Sequence, residues 1–222
     1  MNYTLKLLTL SDTLIGSALS YGSIIDSDIV FDARGLPYIP AKRVKGLFRD
    51  AATDLIHNTS LAQIFPIDSG LIETFYGSIG NNNPNPSIIF QNLQLDQFQD
   101  IEPWIDYLMD KYDYAVNIPS IQNYFTEIRT QTAIDPQTKT AKEHSLRTSR
   151  VLKKEFSFSG EIIVSSANEG IQNLLALSCL YIRRMGSMRN RGFGKVQLDL
   201  VNQMGESVCL EVKDKLEASC IN

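Results

Sequence analysis

The sequence predicts an α+β fold in which helices cover one face of an antiparallel sheet. Two observations support this prediction. A strand–helix–strand order occurs twice along the chain, and the apolar residues change between a period of two, typical of strands, and a period of about 3.6, typical of helices. Two such halves are characteristic of a ferredoxin-like sheet.

The first half opens with a strand predicted over residues 3–10, where apolar and polar residues alternate. A polar loop over residues 11–28 follows. A helix is predicted directly after Pro40, because one apolar stripe then recurs at helical spacing: Val44, Leu47, Phe48, Ala51, Ala52, Leu55 and Ile56. The pattern beyond it predicts a second short helix between Ala62 and Tyr76, a loop over residues 80–87 and a strand over residues 88–95.

The second half contains the clearest strand, Lys154–Val164, followed by a predicted helix over Ile171–Arg184 and a strand over Lys195–Val201. A last strand is predicted near Ser207–Val212. Between the halves, residues 100–125 have helical spacing, whereas residues 127–150 are polar and lack a core period. This order of elements is also that of RRM-like domains, although a fold alone does not assign a function.

Length and composition narrow the class of protein. The 222 residues fit a single domain, residues 1–222, and with 43% hydrophobic residues the chain can form a packed core. No apolar run approaches the ~20 residues of a membrane helix, and Met1–Leu7 lacks the features of a signal peptide, so we expect a cytoplasmic protein without membrane contact. The cysteines Cys179, Cys209 and Cys220 form no CxxC pair, which argues against a disulfide framework or a structural zinc site.

The positive residues are clustered although the formal net charge is −4. Three segments carry most of them: Lys42, Arg43, Lys45 and Arg49; Lys139, Lys142, Arg147, Arg150, Lys153 and Lys154; and Arg183, Arg184, Arg189, Arg191 and Lys195. Carboxylates concentrate instead in residues 94–113. The sequence therefore predicts a bipolar surface whose basic side meets an anionic partner, with ordinary solvated faces as the alternative.

Two motifs lie within these basic clusters. The loop Met185–Lys195 combines two arginines with glycines that let another backbone approach closely, and such loops can hold phosphates. It can equally be a tight helix-to-strand connection with Phe193 in the core. The segment Asp32–Arg49 feeds an extended, proline-flanked stretch into a helix whose first turns are cationic, and helix N-termini attract phosphate.

These motifs resemble those of the RAMP superfamily. Gly35–Pro40 followed by Lys45–Arg49 is similar to the family's PYIPGSSLKGxLR signature, although Ala41-Lys42-Arg43 stands where Gly-Ser-Ser is usual. Phe75-Tyr76-Gly77 resembles its lFG segment, and Arg189–Gly194 resembles its RxRGFG loop. The matches follow the family's order from residue 3 to about residue 200.

The resemblance implies a backbone subunit of a type III CRISPR effector complex, which binds CRISPR RNA (crRNA) and target RNA beside neighbouring RAMP and other effector subunits. It implies a thumb-like hairpin, for which the polar stretch from about Ile128 to Leu146 is the best candidate. The RNA-binding residues it suggests are Lys42, Arg43, Lys45, Arg49, His144, Arg189, Arg191, Gly192 and Gly194.

The same resemblance implies an endoribonuclease site. Ile25–Val30 aligns with the family's loop aspartate, so Asp26 is the candidate for target-RNA cleavage and for binding Mg²⁺ or another divalent cation. The RNA 2′-hydroxyl would be the nucleophile. Asp28 is a second nearby carboxylate, and both acids can alternatively cap turns through local hydrogen bonds.

Two other functions remain open at this point. The subunit can bind RNA without cleaving it, as some RAMP subunits do, or it can be a standalone crRNA-processing nuclease. His57 and His144 are not spaced as a catalytic pair, which argues against the standalone nuclease. His57 is expected on the surface at the end of the basic helix, whereas His144 lies in the predicted thumb.

Overall fold

The computed structural model describes residues 1–16, 25–57, 59–67, 69–76, 87–165 and 168–220. Its elements are β1 (Asn2–Thr9), α1 (Ala41–Ile56), α2 (Thr59–Ile64), α3 (Ser69–Tyr76), β2 (Ile88–Phe90), β3 (Gln94–Leu95), α4 (Phe98–Lys111), α5 (Ile118–Phe125), β4 (Thr126–Gln131), β5 (Arg147–Leu152), β6 (Ser157–Val164), α6 (Glu169–Tyr181), a 3₁₀ turn (Arg189–Arg191), β7 (Val196–Val201) and α7 (Val208–Cys220). Gly77 and residues 80–86 of the predicted loop lie outside the described residues, as do residues 17–24.

The main sheet has the strand order β2-β6-β1-β7, and β3 pairs with β6 beside β2. Every pair is antiparallel. Because β1-α1-β2 and β6-α6-β7 each return to the sheet with one strand between their two ends, both halves are split β-α-β units. The predicted α+β class is confirmed, and this strand order agrees with the ferredoxin-like arrangement.

One face of the sheet forms the core. Alternate residues of the strands point into it, as in Leu5, Leu7 and Phe158, because successive side chains of a strand lie on opposite faces. Helices α1 and α6 pack together over this face. The predicted stripe of α1 is confirmed, since Val44, Phe48, Ala51, Ala52 and Leu55 are buried and Leu47 and Ile56 pack partly buried against the core.

The helical stretch predicted over residues 100–125 is two helices rather than one. Helix α4 ends at Lys111, and α5 begins at a new cap, where the Asn117 side chain accepts from the Ser120 N–H and the Ser120 hydroxyl accepts from the Asn117 N–H. This reciprocal capping box satisfies N–H groups that a helix start leaves free, which explains why the chain starts a new helix there.

The strand predicted near Ser207–Val212 is wrong, because this segment begins helix α7. The Ser207 hydroxyl accepts a hydrogen bond from the Leu210 N–H, as a helix-capping residue does. Val208, Cys209 and Val212 are buried at helical spacing, whereas Leu210 is 61% exposed. A strand would have placed Val208, Leu210 and Val212 on one face.

A second sheet consists of β4 and β5 alone, which form an antiparallel hairpin from Thr126↔Leu152 to Gln131↔Arg147. The predicted thumb stretch, from about Ile128 to Leu146, falls within this β4–β5 hairpin. Its tip is a turn in which the Asp135 carboxylate accepts from two backbone N–H groups. None of the described helices is both long and apolar enough to cross a membrane.

Candidate nucleic-acid interface

A groove of about 900 Å³ brings together three segments that are far apart in the sequence. Its polar lining includes Asp26 and Ser27, Lys42 and Arg43 at the start of α1, and Ser187 and Arg189 from the glycine-containing loop. We call it the central groove. Four of the predicted site residues therefore share one surface, namely Asp26, Lys42, Arg43 and Arg189.

Two further grooves meet the central groove at the 3₁₀ turn, since Met188 lines all three. One, of about 850 Å³, runs along α1 and contains Arg183, Arg184, Arg189 and Arg191 together with Asp50 and Asp54. The other, of about 660 Å³, runs along the β4–β5 hairpin and contains Lys142, His144, Arg147 and Arg191. Their linings are rich in arginine and lysine side chains, which suit a phosphate backbone.

The start of α1 favours anions in the central groove. The first turn has no acidic residue and no side-chain cap, so Lys42 and Arg43 add to the positive end of the helix dipole. The Arg43 guanidinium donates to the Gly16 carbonyl at 3.2 Å, which holds it at the edge of the groove. Lys45 and Arg49, the other two predicted cations of α1, are not among the side chains that line the central groove.

The glycine loop combines a structural turn with an open edge. A Cβ on Gly194, whose φ is +76°, would lie 2.0 Å from the Met185 carbonyl oxygen, so the helix-to-strand connection requires glycine there. Gly192 also has a positive φ, but a Cβ there would meet no atom of the described residues within 4 Å. Phe193 packs partly buried against the core. The tight helix-to-strand connection is therefore confirmed, and the phosphate-binding role of the loop stays a prediction.

The 3₁₀ turn also touches the β4–β5 hairpin. The Arg191 guanidinium donates to the Gln131 side chain at 3.1 Å. His144, in the loop of the hairpin, has a positive φ of 56° and lines the same groove as Arg191. By contrast, the His57 ring stands at the end of α1, where Nδ1 lies 2.6 Å from the Thr53 carbonyl oxygen.

Asp26 is joined to the hairpin by non-local contacts. Its carboxylate accepts from the Thr148 N–H at 2.7 Å, and its own N–H donates to the Thr148 carbonyl at 2.8 Å. The other carboxylate oxygen lies 3.5 Å from the Arg147 guanidinium, and the side chain is 42% exposed. Asp26 is therefore accessible from the groove, and its contacts are not those of a local turn cap.

Asp28 occupies a different environment. The residue is 3% exposed, and its carboxylate forms an ion pair with Arg150 of β5 at 3.2 Å while accepting from the Ile29 N–H at 2.8 Å. The expectation that Asp28 could be a second accessible carboxylate is not supported, because this ion pair uses it inside the protein.

Within the part of the chain that the structure describes, Asp26 would be the single protein ligand of a divalent cation in this groove. Among the described residues, no group of three or more His, Cys, Asp or Glu side chains could hold a metal ion. Mg²⁺ is often bound by one or two carboxylates, with substrate phosphates and water completing its shell. The Asp26 carboxylate, whose side chain is 42% exposed, is compatible with this mode.

Several residues that line these grooves are not among the predicted RNA-binding residues, although three of them belong to the basic clusters of the sequence. Arg147 is the nearest cation to Asp26, and Arg183 and Arg184 lie beside the 3₁₀ turn. Tyr181 donates to Asp54 at 3.2 Å, and the charge of Asp54 raises the pKa of this tyrosine. The clustering of arginines was the available signal, but it does not indicate which arginines face a common surface.

These features define an α+β protein of split β-α-β topology that presents a cationic groove system between α1, a glycine loop and a projecting hairpin. The chain belongs to the RAMP superfamily, whose family model matches residues 6–197. No curated protein matches the chain.

Solved structures of this fold include chains of the type III-B Cmr-beta complex determined by cryo-EM. A chain of the apo state has a TM-score of 0.63 and 14% identity, with 91% of this chain and 98% of that chain covered. A chain of the complex bound to cognate target RNA has a TM-score of 0.63 and 13% identity, with 97% and 98% covered. At these identities the likeness establishes the fold.

Proposed function

We propose that the chain is a crRNA-binding backbone subunit of a type III CRISPR RNA-targeting complex, and that it cleaves target RNA at Asp26. Superfamily membership and the fold shared with chains of the Cmr-beta complex support the first part. The observation that carries the second part is the central groove, which the exposed Asp26 carboxylate lines together with Lys42, Arg43 and Arg189.

The cationic grooves fit a nucleic-acid backbone better than individual bases. Their guanidinium and ammonium groups neutralise phosphates without reading sequence, and base pairing with the guide can supply the specificity. The β4–β5 hairpin projects beside these grooves and takes the role of the thumb. The partners in this proposal are crRNA, target RNA and the neighbouring subunits of a cytoplasmic complex.

The cleavage proposed here is an internal transesterification. The 2′-oxygen of one ribose forms a bond to the adjacent phosphorus while the bond from phosphorus to the 5′-oxygen breaks, which leaves a 2′,3′-cyclic phosphate and a 5′-hydroxyl. Asp26 takes up the 2′-hydroxyl proton, and the leaving oxygen gains a proton from water. Lys42, Arg43 and Arg189 hold the phosphates in place and stabilise their negative charge.

A divalent cation would be held by Asp26 together with phosphate oxygens of the RNA. When bound, such an ion supplies further positive charge at the reacting phosphate. The side chains of the groove orient the RNA whether or not the ion is present.

The test is a complex assembled with crRNA and presented with labelled target RNA in the presence of Mg²⁺. We expect the wild type to cut the target and Asp26→Ala to lose about 100-fold or more in rate, with target binding retained. Asp50→Ala is the matched control, because Asp50 lines the same groove from α1 and is expected to leave cleavage unchanged. Cleavage by Asp26→Ala at the wild-type rate would refute the assignment.

A catalytically silent RNA-binding subunit is the second candidate. One observation favours it: an Asp26 carboxylate oxygen already accepts from the Thr148 N–H, while Arg147 stands near the other oxygen. The same assay separates the two candidates, since a silent subunit binds the target and cuts it in neither the wild type nor the variant.

A further inference from the structure

An exposed aromatic face lies on α4, outside the grooves described above. Trp104 is 67% exposed and Tyr107 is 48% exposed, and their rings meet edge to face with centroids 6.2 Å apart. Together with Gln99, Asp100 and Pro103 they line a surface groove of about 590 Å³. Clustered exposed aromatic rings are uncommon on an isolated surface and are typical of interfaces.

Helix α4 is weakly anchored to the rest of the chain. All residues of α4 are described, and none of them is fully buried. Its inner side packs only partly buried residues, including Ile105, against the core. Arg34 adds ion pairs to Glu102 at 2.8 Å and to Asp106 at 2.6 Å, and its hydrogen bond lowers the pKa of Asp106. This arrangement presents the outer side of α4 to solvent.

The charge around this face identifies the kind of partner that fits. Residues 96–114 carry six carboxylates and a single cation, Lys111, whereas the whole chain has a formal net charge of only −4. Arg34 pairs with two of the six, Glu102 and Asp106, so four carboxylates remain for a partner. The Lys111 ammonium lies 5.3 Å from the ring centroid of Tyr107, so the face already pairs a cation with an aromatic ring. A phosphate backbone would be repelled here, and a cationic surface would be attracted.

We propose that the outer face of α4 docks a partner protein that presents arginine and lysine side chains. A guanidinium stacks on Trp104 and Tyr107, and Asp100 and Asp110 pair with neighbouring cations. The partner is another protein and not a second copy, because the cationic grooves of a second copy are engaged with RNA in the proposed function. The identification of this partner as a subunit of the effector complex rests on that proposed function.

Trp104 makes the test direct, because it is the only tryptophan of the chain. The chain is labelled with 5-fluorotryptophan and is then assembled with crRNA and the other subunits, which are expressed separately without the label. We expect the single fluorine resonance to shift, and we expect Trp104→Ala or Asp100→Lys to weaken assembly roughly tenfold. Asp214→Lys, an exposed position on α7, is the control and is expected to assemble as the wild type does.

Three results would overturn the proposal: an unchanged resonance in an assembled complex that binds target RNA, a shift caused by RNA alone, or a shift that grows with the concentration of the lone chain. If the chain forms no complex, the proposed function fails, and an arginine-rich peptide titrated into the lone chain decides the docking question. A peptide-induced shift that Asp100→Lys abolishes and Asp214→Lys preserves supports the docking face, and any other pattern refutes it.

Discussion

Removing one partner of the buried ion pair between Asp28 and Arg150 should strongly destabilise the fold. The two side chains are only 4% and 17% exposed, and the guanidinium also contacts Gln122 and lies 5.7 Å from the Phe31 ring centroid. Its buried Nε has no hydrogen-bond partner among the described residues. Asp28→Asn therefore leaves a desolvated cation without its counter-ion, and we expect a loss of about 3 kcal/mol in the free energy of unfolding.

Arg150→Met should cost a similar amount, because it leaves the Asp28 carboxylate buried with the Ile29 N–H as its remaining hydrogen-bond donor among the described residues. The double variant should lose less than the sum of the two, since removing both charges leaves neither one uncompensated. Chemical denaturation followed by circular dichroism gives the four free energies. We expect a coupling energy of about 2 kcal/mol.

Arg147→Gln is the control for this cycle, because its pair with Asp26 is exposed and long, at 3.5 Å. We expect it to cost less than about 1 kcal/mol. If the losses of Asp28→Asn and Arg150→Met simply add in the double variant, the pair is not energetically coupled and the reasoning is wrong. In the assembled complex, Asp28→Asn and Arg150→Met should each reduce target cleavage more than target binding, because the groove cations proposed to bind the RNA lie on other segments.

Three further outcomes are expected. Gly194→Ala should destabilise the protein by about 3 kcal/mol or more, because its Cβ would overlap a carbonyl oxygen. Gly192→Ala should cost only about 1 kcal/mol, because its positive φ is the only obstacle. Thermal unfolding of the two variants measures the difference. Arg43→Gln should lower the slope of log affinity for RNA against log salt concentration by about one, and Arg49→Gln by less, since only Arg43 lines the central groove; equal slopes would contradict this placement. Burial raises the pKa of the Cys179 thiol well above its usual value, so iodoacetamide at pH 8 should leave the Cys179 peptide unmodified in the folded protein and modify it in denaturant, as read by mass spectrometry.

The elements that the sequence predicts correctly are long segments in which the apolar residues keep one spacing, either that of a helix or that of a strand. Helix α1 and strand β6 carry unambiguous patterns of buried residues. The C-terminal segment was misassigned because Val208, Leu210 and Val212 alternate as they would in a strand. The burial of Cys209 and the exposure of Leu210 depend on α6 and β7 lying beside the segment, and this tertiary context is not visible in a short stretch of sequence.

The sequence predicts which segments form the candidate site, but it does not predict which of their side chains face the groove. Asp26 and Asp28 are two residues apart and chemically identical, yet one faces the groove and the other is buried. The deciding factor is Arg150, which is more than a hundred residues away and offers a buried partner only to Asp28. Likewise the four cations of α1 look equivalent in sequence, and the packing of the helix decides that Lys42 and Arg43 line the groove.

The contacts of the Asp26 loop bear on where an RNA would be cut. Asp26 exchanges two hydrogen bonds with Thr148, the Arg150 N–H donates to the Ser27 carbonyl at 2.9 Å, and Asp28 pairs with Arg150. Ser27 also forms an isolated parallel bridge with Ser149, so the loop is attached to β5 of the hairpin. In the proposed function, an RNA that is held by the hairpin is also held at a fixed distance from the Asp26 carboxylate. The cut position would then be set by this attachment of the loop to β5 and not by the base sequence of the target.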